Sequence, residues 1–158
     1  MTNPIYDINL LDIKGKPFEL SQFKGKKILL VNTASACGLT PQYAQLQELH
    51  LSHGDTLAVV GLPCNDFGGQ EPGTADEIVT FCETHFSVTF PLTEKVIIKG
   101  ANISPIYQYL TKKEMNDLQD SEVSWNFQKY LIDENGFLEA VFAPTVEVIS
   151  DEFLKNIE

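Results

Sequence analysis

Two uninterrupted apolar runs, at residues 28–31 and 56–62, do most to limit what this chain can fold into. Strands of that composition are covered on both faces, which is the condition of a parallel sheet. Between them, residues 41–52 place Tyr43, Leu46, Leu49 and His53 at helical spacing, so a helix must cross from the first strand to the second. Gly54-Asp55 ends it. Thr40-Pro41 predicts the helix start, with Thr as N-cap and Pro at the first helical position. The turn before it reads Ser35-Ala36-Cys37-Gly38, so Cys37 stands at the carboxyl end of a central strand. Ligands and chemistry gather there in open α/β sheets. Most cysteines are small buried hydrophobes. Tiny neighbours leave room for something to approach this one, and position alone leaves both readings open.

The remaining chain completes one domain over residues 1–158, a usual length for a single good core. Residues 5–10 and 16–20 flank Asp12-Ile13-Lys14-Gly15 and predict an N-terminal hairpin, with a connector at 21–25. Residues 63–73 are too rich in glycine and proline for regular structure. Thr74-Ala75-Asp76-Glu77 is a capping box; the helix it opens carries Ala75, Val79, Cys82 and Phe86 on one face. A short apolar segment at 96–98 and a third helix near 104–110 follow. Residues 127–132 and 137–142 bracket Asp133-Glu134-Asn135-Gly136, a strong hairpin turn. Residues 151–157 read as a closing helix. The order predicts an α/β, thioredoxin-like fold: a central mixed β-sheet flanked by helices, with an N-terminal β-hairpin.

Charge and cysteine usage bound the partners. A net charge of −11 repels phosphate backbones and anionic lipid headgroups, which speaks against nucleic acid and against stable membrane association. No apolar run approaches the ~20 residues that span a bilayer. Met1-Thr2-Asn3-Pro4 lacks the basic and apolar regions of a signal peptide, so a cytoplasmic protein is expected. Three cysteines in that reducing compartment form no static disulfide framework. No Cys-x-x-Cys occurs, and His50 and His53 lie in no cluster of zinc spacing; neither metal nor cofactor is expected.

A free thiol, with a pKa of about 8.5, is only a few per cent thiolate at pH 7. The helix after Cys37 starts too far on to correct this alone, and no basic residue stands nearby in sequence. Neutral donors would serve. Asn65 and Gln70 lie in the loop after the second strand, and Trp125 and Asn126 just before a later one. Each has a bland reading too: the amides could simply hold a tight loop, and a lone Trp is usually core.

These residues carry a family resemblance. The stretch from Val31 to Thr40, Val-Asn-Thr-Ala-Ser-Ala-Cys-Gly-Leu-Thr, resembles the peroxidatic motif of the glutathione peroxidase family. Leu62-Pro63-Cys64-Asn65-Asp66-Phe67-Gly68-Gly69-Gln70-Glu71-Pro72-Gly73 is similar to its second signature, and Trp125-Asn126-Phe127 to its third. The resemblance implies a catalytic tetrad of Cys37, Gln70, Trp125 and Asn126, with Asn65 as a supporting residue behind it. It also implies a thiol peroxidase acting on hydrogen peroxide and organic or lipid hydroperoxides. Cys82, a core cysteine by its apolar helix face, matches the resolving cysteine of the two-cysteine branch. That branch is recycled through an intramolecular disulfide by thioredoxin rather than glutathione. Cys64 is read as structural. The short region before Trp125 implies a monomer, and Val141-Phe142-Ala143-Pro144 replaces an arginine-aromatic pair of many members. Two rivals share the chemistry: a redox relay passing oxidation to a regulatory protein, and a thiol–disulfide oxidoreductase, which the missing second cysteine after Cys37 disfavours.

Overall fold

Strand β3 (Lys27–Thr33) is the axis of the molecule, and the computed structural model describes the chain from residue 3 to 158 around it. The reading of Met1-Thr2 lies outside the described residues. β3 pairs in parallel with β4 (Leu57–Pro63), from Lys27 opposite Leu57 to Thr33 opposite Pro63. On its other side it pairs antiparallel with β5 (Lys129–Ile132), and β5 with β6 (Leu138–Phe142). The sheet order is therefore β4-β3-β5-β6, with helix α1 (Gln42–His53) as the β3–β4 crossover. A two-residue ladder, β1 (Leu10–Leu11) with β2 (Pro17–Phe18), precedes it. This is the thioredoxin-like mixed sheet that the sequence predicts.

Side chains alternate along a strand, and here the alternation sorts the interior into two layers. Leu29, Val31, Val59 and Leu131 face Tyr43, Leu46 and Leu49 of α1, together with Ile78 and Cys82 of α2 (Ala75–Phe86). Ile28, Leu30, Val60, Leu62 and Tyr130 face the opposite way, against Ile106, Tyr107 and Leu110 of α3 (Pro105–Thr111). Ile28 to Val31 are inaccessible, as a doubly covered run requires.

Several local expectations need correction. Thr40 is not the N-cap of α1. Its hydroxyl is taken up by the preceding loop, and the chain enters the helix through successive turns, with Pro41 as the last residue before it. The N-terminal hairpin shrinks to two residues a side, because residues 5–7 and 20–23 coil into single 3₁₀ turns. The capping box of α2 forms as expected, Thr74 and Glu77 bonding reciprocally at 3.2 and 3.1 Å. Its buried stripe begins at Ile78, one turn later than expected, since Ala75 lies with Asp76 and Glu77 in an exposed first turn. The apolar segment at 96–98 is held by Val96 N–H bonding Pro63 O and by Asp66, which takes the N–H groups of Ile98 and Lys99. A short helix α4 (Lys113–Asn116) was not foreseen, and the closing helix α5 (Asp151–Leu154) is shorter than expected. The Asp133–Gly136 turn forms as predicted; Gly136 sits at φ +90°, where a Cβ would meet Tyr6 at 2.6 Å.

Candidate active site

Three loops meet where β3 ends. In the first, Ala34 O accepts from the Thr40 hydroxyl at 2.8 Å, and that hydroxyl accepts from Cys37 N–H at 2.9 Å. The bonds close the loop into a small ring with half-exposed Cys37 at its rim. Leu39 N–H points at Cys37 Sγ from 3.3 Å. That N–H is a hydrogen-bond donor already in place on the candidate nucleophile.

The second loop, between β4 and α2, is tied to the first by Ala36 N–H donating to Gln70 O at 3.0 Å. Asn65 braces it by accepting from Glu71 N–H at 2.9 Å, with its own side chain exposed. This bond holds the loop. Gly68 adopts φ +70°, and a Cβ there would come within 2.9 Å of the Trp125 ring. Glycine lets the half-buried indole lie directly on the loop, edge-on to Phe67 at 6.0 Å.

The third loop enters β5. Asn32 holds it with three of its polar groups: Nδ2 donates to Trp125 O (3.1 Å), Oδ1 accepts from Gln128 N–H (3.1 Å), and its carbonyl accepts from Phe127 N–H (2.7 Å). These bonds hold Phe127 at φ +69°, a left-handed conformation costing of order 1–3 kcal/mol for a non-glycine residue. The reversal it produces buries Asn126 completely. Asn126 Nδ2 donates to Phe67 O at 3.2 Å and to Gln70 Oε1 at 3.0 Å. Because Gln70 Oε1 is engaged there, the Gln70 amide turns its NH₂ away from Asn126 and keeps it free to donate.

The structure therefore brings together the loops carrying Cys37, Gln70, Trp125 and Asn126, and bonds Gln70 to Asn126 directly. Among the described residues, Leu39 N–H is the donor on Sγ; the side chains of Gln70, Trp125 and Asn126 do not bond it. Asn32, Thr40 and Glu71 also build the site; the sequence reads Thr40 as a helix cap and leaves Glu71 unremarked, and the signal for a site residue is at Asn32. It is a polar residue ending an apolar strand, which a buried position tolerates only with partners.

The other two cysteines are both buried free thiols. Cys82 lies in the α1/α2 layer that Cys37 borders; burial pushes its thiol up to about 11. Cys64 lies in the opposite layer; burial pushes its thiol up to about 12. Among the described residues no three His, Cys, Asp or Glu side chains gather as metal ligands.

A family model described as Glutathione peroxidase matches residues 5–111. The chain is similar to "Glutathione peroxidase-like peroxiredoxin 2" of Saccharomyces cerevisiae, 43% identical over 137 residues, covering 86% of this chain and 85% of the relative. It is also similar to "Hydroperoxy fatty acid reductase gpx1" of Synechocystis, 45% identical over 142 residues, covering 85% and 83%. Among solved structures, the apo form of Trgpx matches with a TM-score of 0.74 at 33% identity, covering 99% of this chain and 97% of that one.

Proposed function

The chain belongs to the glutathione peroxidase family, and from that premise we propose that it is a thiol peroxidase with Cys37 as the peroxidatic residue. The Cys37 thiolate attacks the terminal oxygen of a hydroperoxide; an S–O bond forms, the O–O bond breaks, and an alcohol or water leaves. The developing oxyanion needs donors already in place, the role assigned to Gln70, Trp125 and Asn126. The observation that carries the reading is the half-exposed Cys37 sulfur, with a backbone N–H on it, where these three loops are laced together.

Cys82 is the resolving residue in this reading. Its thiol attacks the Cys37 sulfenic acid, and water leaves as the disulfide forms. A disulfide needs Cα atoms about 4.4–6.8 Å apart, and Cys82 sits inside a folded helix with 1% exposure. We therefore expect α2 to open locally in each cycle. Opening also activates the sulfur: leaving its site, the thiol falls from about 11 toward the free value of about 8.5, which raises its thiolate fraction at pH 7 by some two orders of magnitude.

Thioredoxin is the proposed reductant and a hydroperoxide, organic or lipid, the substrate; the name of the cyanobacterial relative, a hydroperoxy fatty acid reductase, supports the substrate. Glutathione carries carboxylates, which arginine clamps best, and all eleven basic residues of this chain are lysines within a net charge of −11. We take residues 1–158 as one catalytic domain working as a monomer in the cytoplasm. The β5–β6 hairpin supports the first point, since it lies beyond the matched residues yet supplies two strands of the sheet that holds Cys37. No helix among the described residues is long and apolar enough to cross a membrane. Steady-state peroxide turnover with thioredoxin and glutathione in parallel tests the assignment; turnover with glutathione alone overturns the reductant.

A further inference from the structure

Below the Cys37 loop, on the α1/α2 side of the sheet, four buried side-chain oxygens lack a hydrogen-bond partner: Thr33 Oγ1, Ser35 Oγ, Tyr43 OH and Glu71 Oε2. They form one neighbourhood. The Tyr43 hydroxyl lies beside the Thr33 hydroxyl and the Cys82 thiol without a well-formed bond to either. The Glu71 carboxyl faces the N–H and hydroxyl of Ser35, and lies near enough to Cys82 and Tyr43 to act on both through its charge. Glu71 is itself 1% exposed. A carboxyl so buried and so poorly partnered is costly, and the peroxide step proposed above gives its side chain no role.

Its backbone shows where it stays. Glu71 N–H bonds Asn65 Oδ1, and the adjoining Gln70 O accepts from Ala36 N–H. When α2 opens, Glu71 remains with the Cys37 loop. The carboxyl lies near Cys82 in its buried site and faces Ser35, two residues before Cys37.

We propose that Glu71 handles the proton of disulfide formation, taking it from the Cys82 thiol and giving it to the hydroxide that leaves Cys37. The inference rests on the two-cysteine reading above. The S–S bond forms as the S–O bond breaks; the thiol proton ends in the water released, and no external oxidant enters. Of the ionisable groups that act on Cys82, Tyr43 holds its proton, since burial raises its hydroxyl well above the ordinary value, and Glu83 is exposed on α2. Burial raises the Glu71 carboxyl, partly offset by Ser35 and by Lys95 from the segment before α3. A carboxylate so shifted is a better base near neutral pH than an exposed one.

The test separates the two chemical steps. Reduced protein is mixed with one equivalent of peroxide; Trp125 fluorescence and quenched samples treated with a sulfenic-acid trap follow sulfenic acid, then disulfide. In Glu71→Gln the second step should slow by ~10² more than the first, and Glu71→Asp should recover part of the loss. In the wild type, the second step should slow as pH falls through the raised carboxyl range, and this acid limb should vanish in Glu71→Gln. Equal slowing of both steps, or an unchanged second step, overturns the proposal. Should Glu71→Gln fail to fold, a wild-type second step with no acid limb overturns it. Absence of any Cys37–Cys82 disulfide in the wild type overturns the two-cysteine reading instead, and the proposal with it.

Discussion

Cys64 and Cys82 look alike by burial and by acidity. Both are inaccessible free thiols, and burial raises one to about 12 and the other to about 11. The sheet separates them. Cys82 shares its layer with the residues that Cys37 packs against, whereas Cys64 packs with Phe67 and Tyr107 on the far face. Cys64 is the nearer to Cys37 in sequence, yet it packs in the layer opposite to the one that Cys37 borders. In the proposed cycle Cys82 needs only one helix to open. For a pair of sulfurs that must meet, the layer decides more than burial or sequence distance.

The largest expected effect removes the sulfur that the comparison is measured from. Cys37→Ser should abolish peroxide turnover, since a hydroxyl is no thiolate at neutral pH; residual turnover above about one per cent of wild type would place the chemistry elsewhere. Cys82→Ser should come next. The first equivalent of peroxide should still be consumed, while thioredoxin-driven turnover collapses and sulfinic acid accumulates at Cys37. Full thioredoxin-linked activity in that variant would break the comparison outright. Peptide mapping of oxidised wild type checks the same point, with Cys37 joined to Cys82 and Cys64 free.

A smaller loss is expected at Asn126, which holds Gln70 from the third loop. Asn126→Ala should slow the oxidation of Cys37 by ~10², read as sulfenic-acid formation in a stopped-flow mix, and leave the later disulfide step less affected. An unchanged first step would show that the Asn126–Gln70 bond positions nothing that the peroxide meets.

Much of this was legible beforehand because it follows from local rules. The doubly buried runs around β3 and β4, the Thr74–Glu77 capping box and the Asp133–Gly136 turn depend on neighbours a few residues away. Cys37 was legible from its place at the end of a central strand, but its grouping with Gln70, Trp125 and Asn126 came only through the resemblance, since no spacing rule connects four residues on three loops. Thr40 misled because its hydroxyl serves equally well as a helix cap or a loop clasp, and tertiary context chose the clasp. Lys129 gave no warning at all. It is buried on β5, where its Nζ donates to Gln42 Oε1, Pro144 O and Val146 O at 2.6–2.7 Å, pinning the start of α1 to the chain after β6. Glu71 was hidden for the same reason: a charged residue in a glycine-rich loop reads as solvated, and its burial arises only when three loops close over it.

The smallest effect on activity is expected at Cys64, and it sharpens the comparison by separating stability from chemistry. Cys64→Ala should leave thioredoxin-linked turnover within about twofold of wild type, because the proposed cycle gives the Cys64 thiol no step. It should cost stability, about 1 kcal/mol for a small buried side chain lost from a packed layer. The pH dependence provides an independent reading. In the folded protein the Cys64 thiol keeps its proton up to about 12, from an ordinary value of 9.0. The unfolded chain releases that proton earlier, so the stability contributed by the neutral thiol is fully present below pH 9 and is lost as pH rises toward 12. Denaturant unfolding of Cys64→Ala should therefore show a shallower alkaline decline than wild type, with unchanged turnover at neutral pH. A variant that instead loses turnover at full stability would move the resolving role across the sheet.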